Sequence, residues 1–488
     1  MLLRLRPVVH ASPTATGVLV RGWRSSFAVE GGGVATLWDR VATALATGVP
    51  AEALPDTGPV GALVAQLRAH DMLVPIPTRW DGPPPPEDVL AWLESVAADP
   101  ALAWRRLSAE PVAVRGSGLL AAAAVRALRN VGIGVEVSIS AGDGVLLSAG
   151  GVAVAAGCGD RTGFAVAPGG EGAVEADAAD VARRLGIVGE PAEVLAALVG
   201  SAAAHRLVCA VAGLPDPSGG PERPGRESGG PSVFVADLDP LRAEYHPWFS
   251  RHRESVGGLD TLCDARLGDL APVEPDDLPQ LPVPVARCGA AIGAGVEPGR
   301  ARVAAVTAAV AGPGVVAGIA DDAEGLALRT AVHTLGGGTP LPASAWSGDP
   351  AARRWWKTVT LRFGVPATMT VSEWAPGVVH AVVRDDAGLL GWAVESTPGA
   401  AAAWAAASAA AGCQVGVRPG PLLTGSGATP PQAPPWPAED FRWPAPTDEP
   451  AFRAAARAAL PDLPTPTPLS AAARAAGITA FRLPGAHP

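Results

Sequence analysis

The chain has 488 residues, 48% of them hydrophobic, with 59 glycines, 51 prolines and a formal net charge of −10. That length exceeds what one hydrophobic core serves, so several domains are expected. The acidic balance and the lack of any dense basic run speak against nucleic-acid binding by phosphate neutralisation. Lys357 is the lone lysine among 37 basic residues.

The first 75 residues open with three extended segments, 6–11, 17–22 and 25–30, divided by turn residues such as Ser12-Pro13 and Gly22. Gly31–Gly33 then leads into a helix in which Val34, Leu37, Trp38, Val41 and Leu45 recur at helical spacing. A short helix is expected at 51–54. A third begins at Pro59, stacks Leu63, Leu67 and His70, and closes in the apolar run Met72-Leu73-Val74. Strands, three helices and an apolar strand follow one another in the order of a small winged helix.

This order and spacing resemble the PqqD-like recognition element of systems that modify ribosomally made peptides. The resemblance implies that a leader peptide adds a strand to the segment 25–30 and packs against the third helix. Backbone bonds then supply affinity, and pockets under alternate side chains supply selectivity. The implied peptide-binding residues are Ser26, Phe27, Val29, Leu63, Gln66, Leu67 and His70. For each apolar one the alternative is a plain core role. Binding of DNA by the same module is disfavoured, because its third helix carries one arginine, Arg68.

Residues 79–86 read as a proline-rich linker and 87–96 as a short helix. A strand from Pro111 then meets a Gly116-Ser-Gly118 turn, a helix to Asn130 and a second strand at 134–139. That is the opening of a nucleotide-binding α/β unit, with Gly116 and Gly118 as candidate nucleotide contacts. Ala121 stands at the third glycine position, and Glu136 lies inside the second strand rather than at its end. An empty α/β scaffold is the alternative. A PqqD-like module followed by such a unit resembles the partner protein of thiazole/oxazole cyclodehydratases, whose second part is a degenerate ThiF-like fold. Active ThiF-like enzymes use an arginine, lysine and aspartate set around ATP. With one distant lysine, no adenylation is expected of this segment.

Residues 216–231 are low in complexity and read as a flexible loop. His246, His252, Asp237 and Asp239 lie near one another in sequence, without metal-ligand spacing on a helix face, and read as solvated loop residues. Five cysteines (Cys158, Cys209, Cys263, Cys288 and Cys413) stand far apart with no C-x-x-C pair. Their odd number and spacing argue against a disulfide framework or a cysteine zinc site, and fit a reducing cytosol. The start, Met-Leu-Leu-Arg-Leu-Arg-Pro, has no apolar core of signal-peptide length. Two uncharged stretches, 303–320 and 396–417, read as buried helices: Gly312-Pro313-Gly314 breaks the first, and alanine dominates the second. A cytoplasmic location with no membrane contact is expected.

From Cys288 onward, alanine-rich helices alternate with strands. A glycine turn at 293–295 precedes a helix from Pro298, a second helix spans 321–335 with acidic residues at its start, and a third runs from Pro398 through Ala411. A hairpin is expected between 378–384 and 389–395 through Asp385-Asp386-Ala387-Gly388. Over roughly 281–417 this pattern resembles the YcaO superfamily, ATP-dependent enzymes that activate a peptide amide with phosphate. Pro464-Thr-Pro-Thr-Pro468 is similar to the proline-rich end of azoline-forming members, although twenty residues follow it here. The family needs helix carboxylates to hold magnesium. Its glutamate positions fall on Ala308 and Ala311, near His333, and on Ser408, with the adjoining arginine on Gly312.

The expectation is therefore an α/β multi-domain protein. Residues 1–77 form a winged helix, 87–275 a degenerate ThiF-like domain with a partial Rossmann-like unit, and 281–488 a degenerate α+β YcaO-like domain with a proline-rich tail. Its expected role is to bind the leader (precursor) peptide and support a separate catalytic YcaO-type subunit, with no catalytic residue, cofactor or metal of its own. Pairing into a homodimer is left open. One alternative is an atypical active cyclodehydratase using Glu297, Asp321, Asp322, Glu324, Glu373 or Glu395. Another is a nucleotide-dependent oxidoreductase built on the Gly116–Gly118 turn.

Overall fold

The computed structural model describes residues 1–23, 25–140, 144–219, 231–254, 257–274, 277–320, 322–426, 443–444 and 447–485. Two compact units emerge: Met1–His246 with His252–Glu254, and Pro247–Arg251 with Ser255–Pro488. Most of the loop expected at 216–231 lies outside the described residues, as does Asp321.

In the first unit, β1 (Leu2–Leu5), β2 (His10–Pro13), β3 (Gly17–Arg21) and β4 (Ser26–Glu30) precede α1 (Val34–Thr47). A two-residue β5 (Val49–Pro50), a 3-10 turn (Ala51–Ala53), α2 (Gly58–Ala69) and β6 (Leu73–Ile76) follow. Strand β1 lies between β5 and β6, while β2, β3 and β4 form a separate antiparallel sheet with β3 in the middle. The extended segment expected at 6–11 is therefore corrected: strands occupy 2–5 and 10–13 instead. Arg6 breaks the run because its guanidinium turns inward. It donates to the carbonyls of Asp71 (2.8 Å), Glu94 (2.9 Å) and Ala97 (2.8 Å). Trp38, Val41 and Leu45 of α1 meet Val18 and Val20 of β3 and Leu63 and Leu67 of α2 in one core.

Next come α3 (Glu87–Val96) and α4 (Pro100–Ser108), the latter capped by Asp99, whose carboxylate accepts from the Leu102 amide at 2.9 Å. A βαβ unit follows: β7 (Val112–Gly116), α5 (Gly118–Asn130) and β8 (Val135–Ser138), with β7 and β8 parallel. The chain then adds β9 (Gly144–Ala149), β10 (Val152–Cys158), β11 (Thr162–Ala165), α6 (Glu171–Leu185), α7 (Glu193–Ala212), β12 (Ser232–Leu238) and β13 (Leu241–Pro247). The seven-stranded sheet runs β13-β12-β11-β10-β9-β7-β8, and its pairings from β7 through β9, β10 and β11 to β12 are antiparallel. Helix α7 is long and apolar enough to cross a membrane, but Leu195, Val199, Ala203 and Leu207 belong to the core over this sheet.

The second unit contains α8 (Leu259–Leu262), β14 (Val273–Glu274), β15 (Val285–Cys288), β16 (Ala291–Ala294), α9 (Pro298–Val310), β17 (Val315–Ile319) and α10 (Asp322–Leu335). After β18 (Thr339–Pro340) and α11 (Pro350–Lys357) come β19 (Thr368–Ala375), β20 (Val378–Asp385), β21 (Gly388–Glu395) and α12 (Pro398–Val415). The chain ends with α13 (Glu449–Ala459), β22 (Thr465–Pro466), α14 (Ala471–Ala475) and β23 (Ile478–Arg482). Strands β18 to β21 form one antiparallel sheet, β14 to β16 a second, and β17-β23-β22 a third. The proline-rich 464–468 thus feeds a sheet edge rather than a terminal tail. Helix α12 is buried around its whole circumference, and alanine lets its backbone lie directly on β21. A Cβ at Gly391 would sit 2.4 Å from the Ala409 nitrogen, so only glycine fits there.

Candidate functional site

In the small sheet of the first unit, β3 pairs on both sides, whereas among the described residues β4 pairs only with β3. Its hydrogen-bond phase follows from the two ends of the ladder. The Gly22 amide donates to the Ser25 carbonyl (2.9 Å), and the Gly31 amide donates to the Thr16 carbonyl (2.8 Å). With the intervening register, Phe27 faces Val20 and Val29 faces Val18 as hydrogen-bonded pairs, because bonded and non-bonded pairs alternate in an antiparallel ladder. The N–H and C=O groups of Ser26, Ala28 and Glu30 therefore point away from β3, toward the open edge.

Side chains complete the edge. Ser26, Ala28 and Glu30 are exposed, while Phe27 and Val29 are half-buried and lean on the core. Phe27 stacks on His70 with ring centroids 4.8 Å apart, and the Ser25 hydroxyl donates to the His70 carbonyl at 3.2 Å. The C-terminal end of α2 is thereby tied to β4. Gln66 is exposed on α2. Leu63 and Leu67 are 4% and 0% exposed, so they support this surface from beneath. An extended peptide laid on β4 would meet Ser26, Ala28 and Glu30 through the main chain, and Phe27, Gln66 and His70 through side chains.

The Gly116–Gly118 turn does link β7 to α5, and Gly118 has φ +74°. Gly116 is explained by packing: a Cβ there would lie 3.0 Å from the Gly144 carbonyl and 3.2 Å from Val145. Nucleotide-binding sheets open a crevice where parallel strands diverge to either side. Here β7 has a parallel neighbour on one side and antiparallel β9 on the other. Glu136 sits mid-strand in β8, exposed. Nearby, Asp237 accepts from the Thr162 hydroxyl at 2.7 Å, Asp239 pairs with Arg161 at 3.1 Å, and His252 bonds Asp180 at 3.0 Å. These residues thus take separate partners, and no group of three metal-ligating side chains forms among the described residues.

The second unit holds a cleft of about 390 Å³ bounded by β16, one face of α9, β17, the start of α10, Trp392 and residues 421–426. Ala308 and Ala311 line it, together with Val303, Ala304 and Thr307. His333 and Ser408 do not. His333 bonds His380 through Nδ1 and Nε2 at 2.9 Å and stacks on Trp392 at 4.0 Å. Burial, with the charge of Arg384, holds both imidazoles neutral, at about 4. Ser408 is fully buried on α12, and its hydroxyl donates to the Pro421 carbonyl at 2.8 Å.

Of the alternative carboxylates in the described residues, Asp322 alone faces the cleft. It pairs with Arg300 at 3.5 Å and accepts from the Ser426 hydroxyl at 3.1 Å. Glu395 is fully buried against Arg329 (3.1 Å), which also binds Glu449 (2.8 Å) and lies 4.1 Å over the Phe452 ring. Glu324 pairs with Arg457, Glu373 is exposed on β19, and Glu297 precedes α9.

No protein-family model matches the chain, and no curated protein is significantly similar to it in sequence. Among solved structures, it is similar to a heterocyclase in complex with substrate and cofactor, at 11% identity and TM-score 0.44, over 99% of this chain and 94% of that one. The heterocyclase TruD matches over the same shares, at 12% identity and TM-score 0.44. Escherichia coli MccB with ATP matches over 52% of this chain and 99% of its own, at 10% identity and TM-score 0.33. Overlaps this loose assign neither an activity nor a site. The groove and the cleft stand on their own geometry.

Several residues that shape these sites escape a linear reading. Ala28 is unremarkable in sequence and matters only through the hydrogen-bond phase of β4. Arg300, Trp392 and Ser426 meet across more than 120 residues of chain. The glycine turn at 293–295, the helix start at Pro298, the alanines at 308 and 311 and Asp322 were the local signals near the cleft.

Proposed function

We propose that this protein is the leader-peptide-binding partner of a thiazole/oxazole-type cyclodehydratase. It would work in the biosynthesis of ribosomally made, bacteriocin-like peptides and make no bonds itself. In this reading residues 1–77 are a PqqD-like winged-helix module, 87–275 a degenerate ThiF-like domain and 281–488 a degenerate YcaO-like domain. The observation that carries it is the open edge of β4, with the main-chain groups of Ser26, Ala28 and Glu30 directed outward beside the Phe27–His70 stack. Strand addition needs such a row of unpaired donors and acceptors, with side-chain pockets alternating beside it.

The cleft of the second unit supports the non-catalytic part of the reading. Magnesium bound to nucleotide phosphates needs several carboxylate oxygens. The described lining offers Asp322, already engaged by Arg300 and Ser426, and alanine at 308 and 311. Recruitment then acts by effective concentration: a peptide held on β4 is presented to a separate YcaO-type subunit more often than free peptide would be.

The test is fluorescence polarisation of the full chain with labelled leader peptides of azoline-type precursors, alongside a magnesium-dependent ATPase assay of the purified chain. Saturable leader binding with no ATP turnover is expected. Robust ATP turnover by the chain alone, or failure to bind any leader, overturns the proposal.

A further inference from the structure

The cleft of the second unit has a lining whose chemistry selects a ligand independently of the peptide groove. Among the described residues, each polar side chain of the lining has a partner within the fold. Arg300 pairs with Asp322, Ser426 donates to Asp322, and the Ser426 amide donates to the Thr424 hydroxyl at 3.0 Å. The Thr307 hydroxyl donates to the Val303 carbonyl at 3.0 Å, and the Thr330 hydroxyl donates to the Leu326 carbonyl at 2.8 Å. Among the described residues, the side chains left to a ligand are mainly apolar: Ile292, Val303, Ala304, Ala308, Ala311 and Leu326, with Trp392.

The volume has a structural origin. Ala304 and Ala308 lie on one face of α9 and Ala311 just past its end, so beyond Arg300 this wall offers only short side chains to the opening. Trp392 is held in place by the parallel His333 ring behind it, at 4.0 Å and 1°. A cleft of about 390 Å³ belongs to the lower range of small-molecule pockets. An anion would compete with Asp322 for Arg300 and a cation would compete with Arg300 for Asp322, whereas a neutral ligand leaves that pair as it is.

We infer that this cleft binds an uncharged aromatic or branched apolar molecule about the size of two fused rings, and neither a nucleotide nor an anion. Its wall of alanines is the ligand-binding surface, and Ala308, exposed on α9, stands at its mouth. The inference does not rest on the peptide-binding reading of β4. The two can fail separately, because leader binding is measured on the same samples.

The probe is propionyl-dimethylaminonaphthalene, a neutral dye whose emission shifts to the blue in apolar surroundings, titrated into the full chain. One saturable site is expected, bound more tightly than the anionic naphthoate and not displaced by ATP with magnesium. Ala308→Leu fills the mouth at an exposed helix position and is expected to weaken dye binding at least about tenfold, with melting and leader binding unchanged. Should that variant misfold, Ala311→Leu on the same wall gives the same test. Non-saturable dye uptake, preference for naphthoate, displacement by magnesium ATP, or unchanged affinity in the folded variant each overturns the inference.

Discussion

Replacing Ala28 with proline tests the groove without dismantling the sheet that forms it. Ala28 faces Leu19 in a non-hydrogen-bonded pair, so its amide points to the open edge and contributes nothing to the β3–β4 ladder. Proline is tolerated on an edge strand whose N–H side faces solvent, so the module should fold. A peptide strand added to β4 would lose the Ala28 donor, and its own facing carbonyl would be left unpaired behind the proline ring. An unsatisfied group of this kind costs about 1–3 kcal/mol. At about 1.4 kcal/mol per factor of ten, leader affinity should fall roughly five- to 150-fold. The assay is fluorescence polarisation with a labelled leader, with circular dichroism and thermal melting to check the fold. Ala28→Thr keeps the amide and serves as the control, with binding expected within about threefold of the parent. If Ala28→Pro melts like the parent and still binds leader within twofold of it, strand addition at β4 is refuted.

Three further outcomes test the second unit. Arg329→Met leaves Glu395 fully buried without its cation and Glu449, partly buried, with Arg453 alone, and should cost about 3–5 kcal/mol near neutral pH, or about 6–20 °C in the melting of this unit. Burial pushes the Glu449 carboxyl up, but the hydrogen bonds and charge of Arg329, with help from Arg453, hold it below its ordinary 4.5. The parent therefore keeps that contribution above about pH 4.5 and loses it on acidification. In Arg329→Met burial of Glu449 is opposed only by Arg453, so the deficit against the parent should be widest at neutral pH and should narrow in acid, read by melting at several pH values. His333 and His380 are held at about 4 in the fold against 6.5 in a free chain, so unfolding takes up protons between these values and stability declines as pH falls through that window. His380→Gln should make that decline shallower in a pH series of denaturant midpoints, and an unchanged slope would remove the pair from the account. Gly391→Ala places a methyl 2.4 Å from the Ala409 nitrogen and should destabilise the unit by about 1–3 kcal/mol or more in urea unfolding, because α12 and β21 must separate.

Local pattern alone determined much of the architecture. The alternation in 17–21 and 26–30, the helical spacing of Val34 to Leu45, and the hairpin around Asp385-Asp386-Ala387-Gly388 all act over a few residues, and the structure has strands and helices there. The alanines at 308 and 311 were also legible, as small residues following the helix start at Pro298, and both line the cleft. Other features depend on partners distant along the chain. Leu2–Leu5 is a strand because Leu73–Ile76 pairs with it from some seventy residues away, while Arg6 leaves that strand to bond the Glu94 and Ala97 carbonyls. Leu63 and Leu67 fall in the core rather than on the groove because α2 turns them toward Val18, Val20 and Leu45, which helical spacing cannot reveal. The mixed strand order around β7, the Arg329–Glu395–Glu449 cluster and the cleft closed by Trp392 and Ser426 likewise arise from packing. Secondary structure follows periods of two and 3.6 residues written in the chain, whereas pairing, burial and the facing of charges are settled only when distant segments compete for the same neighbours.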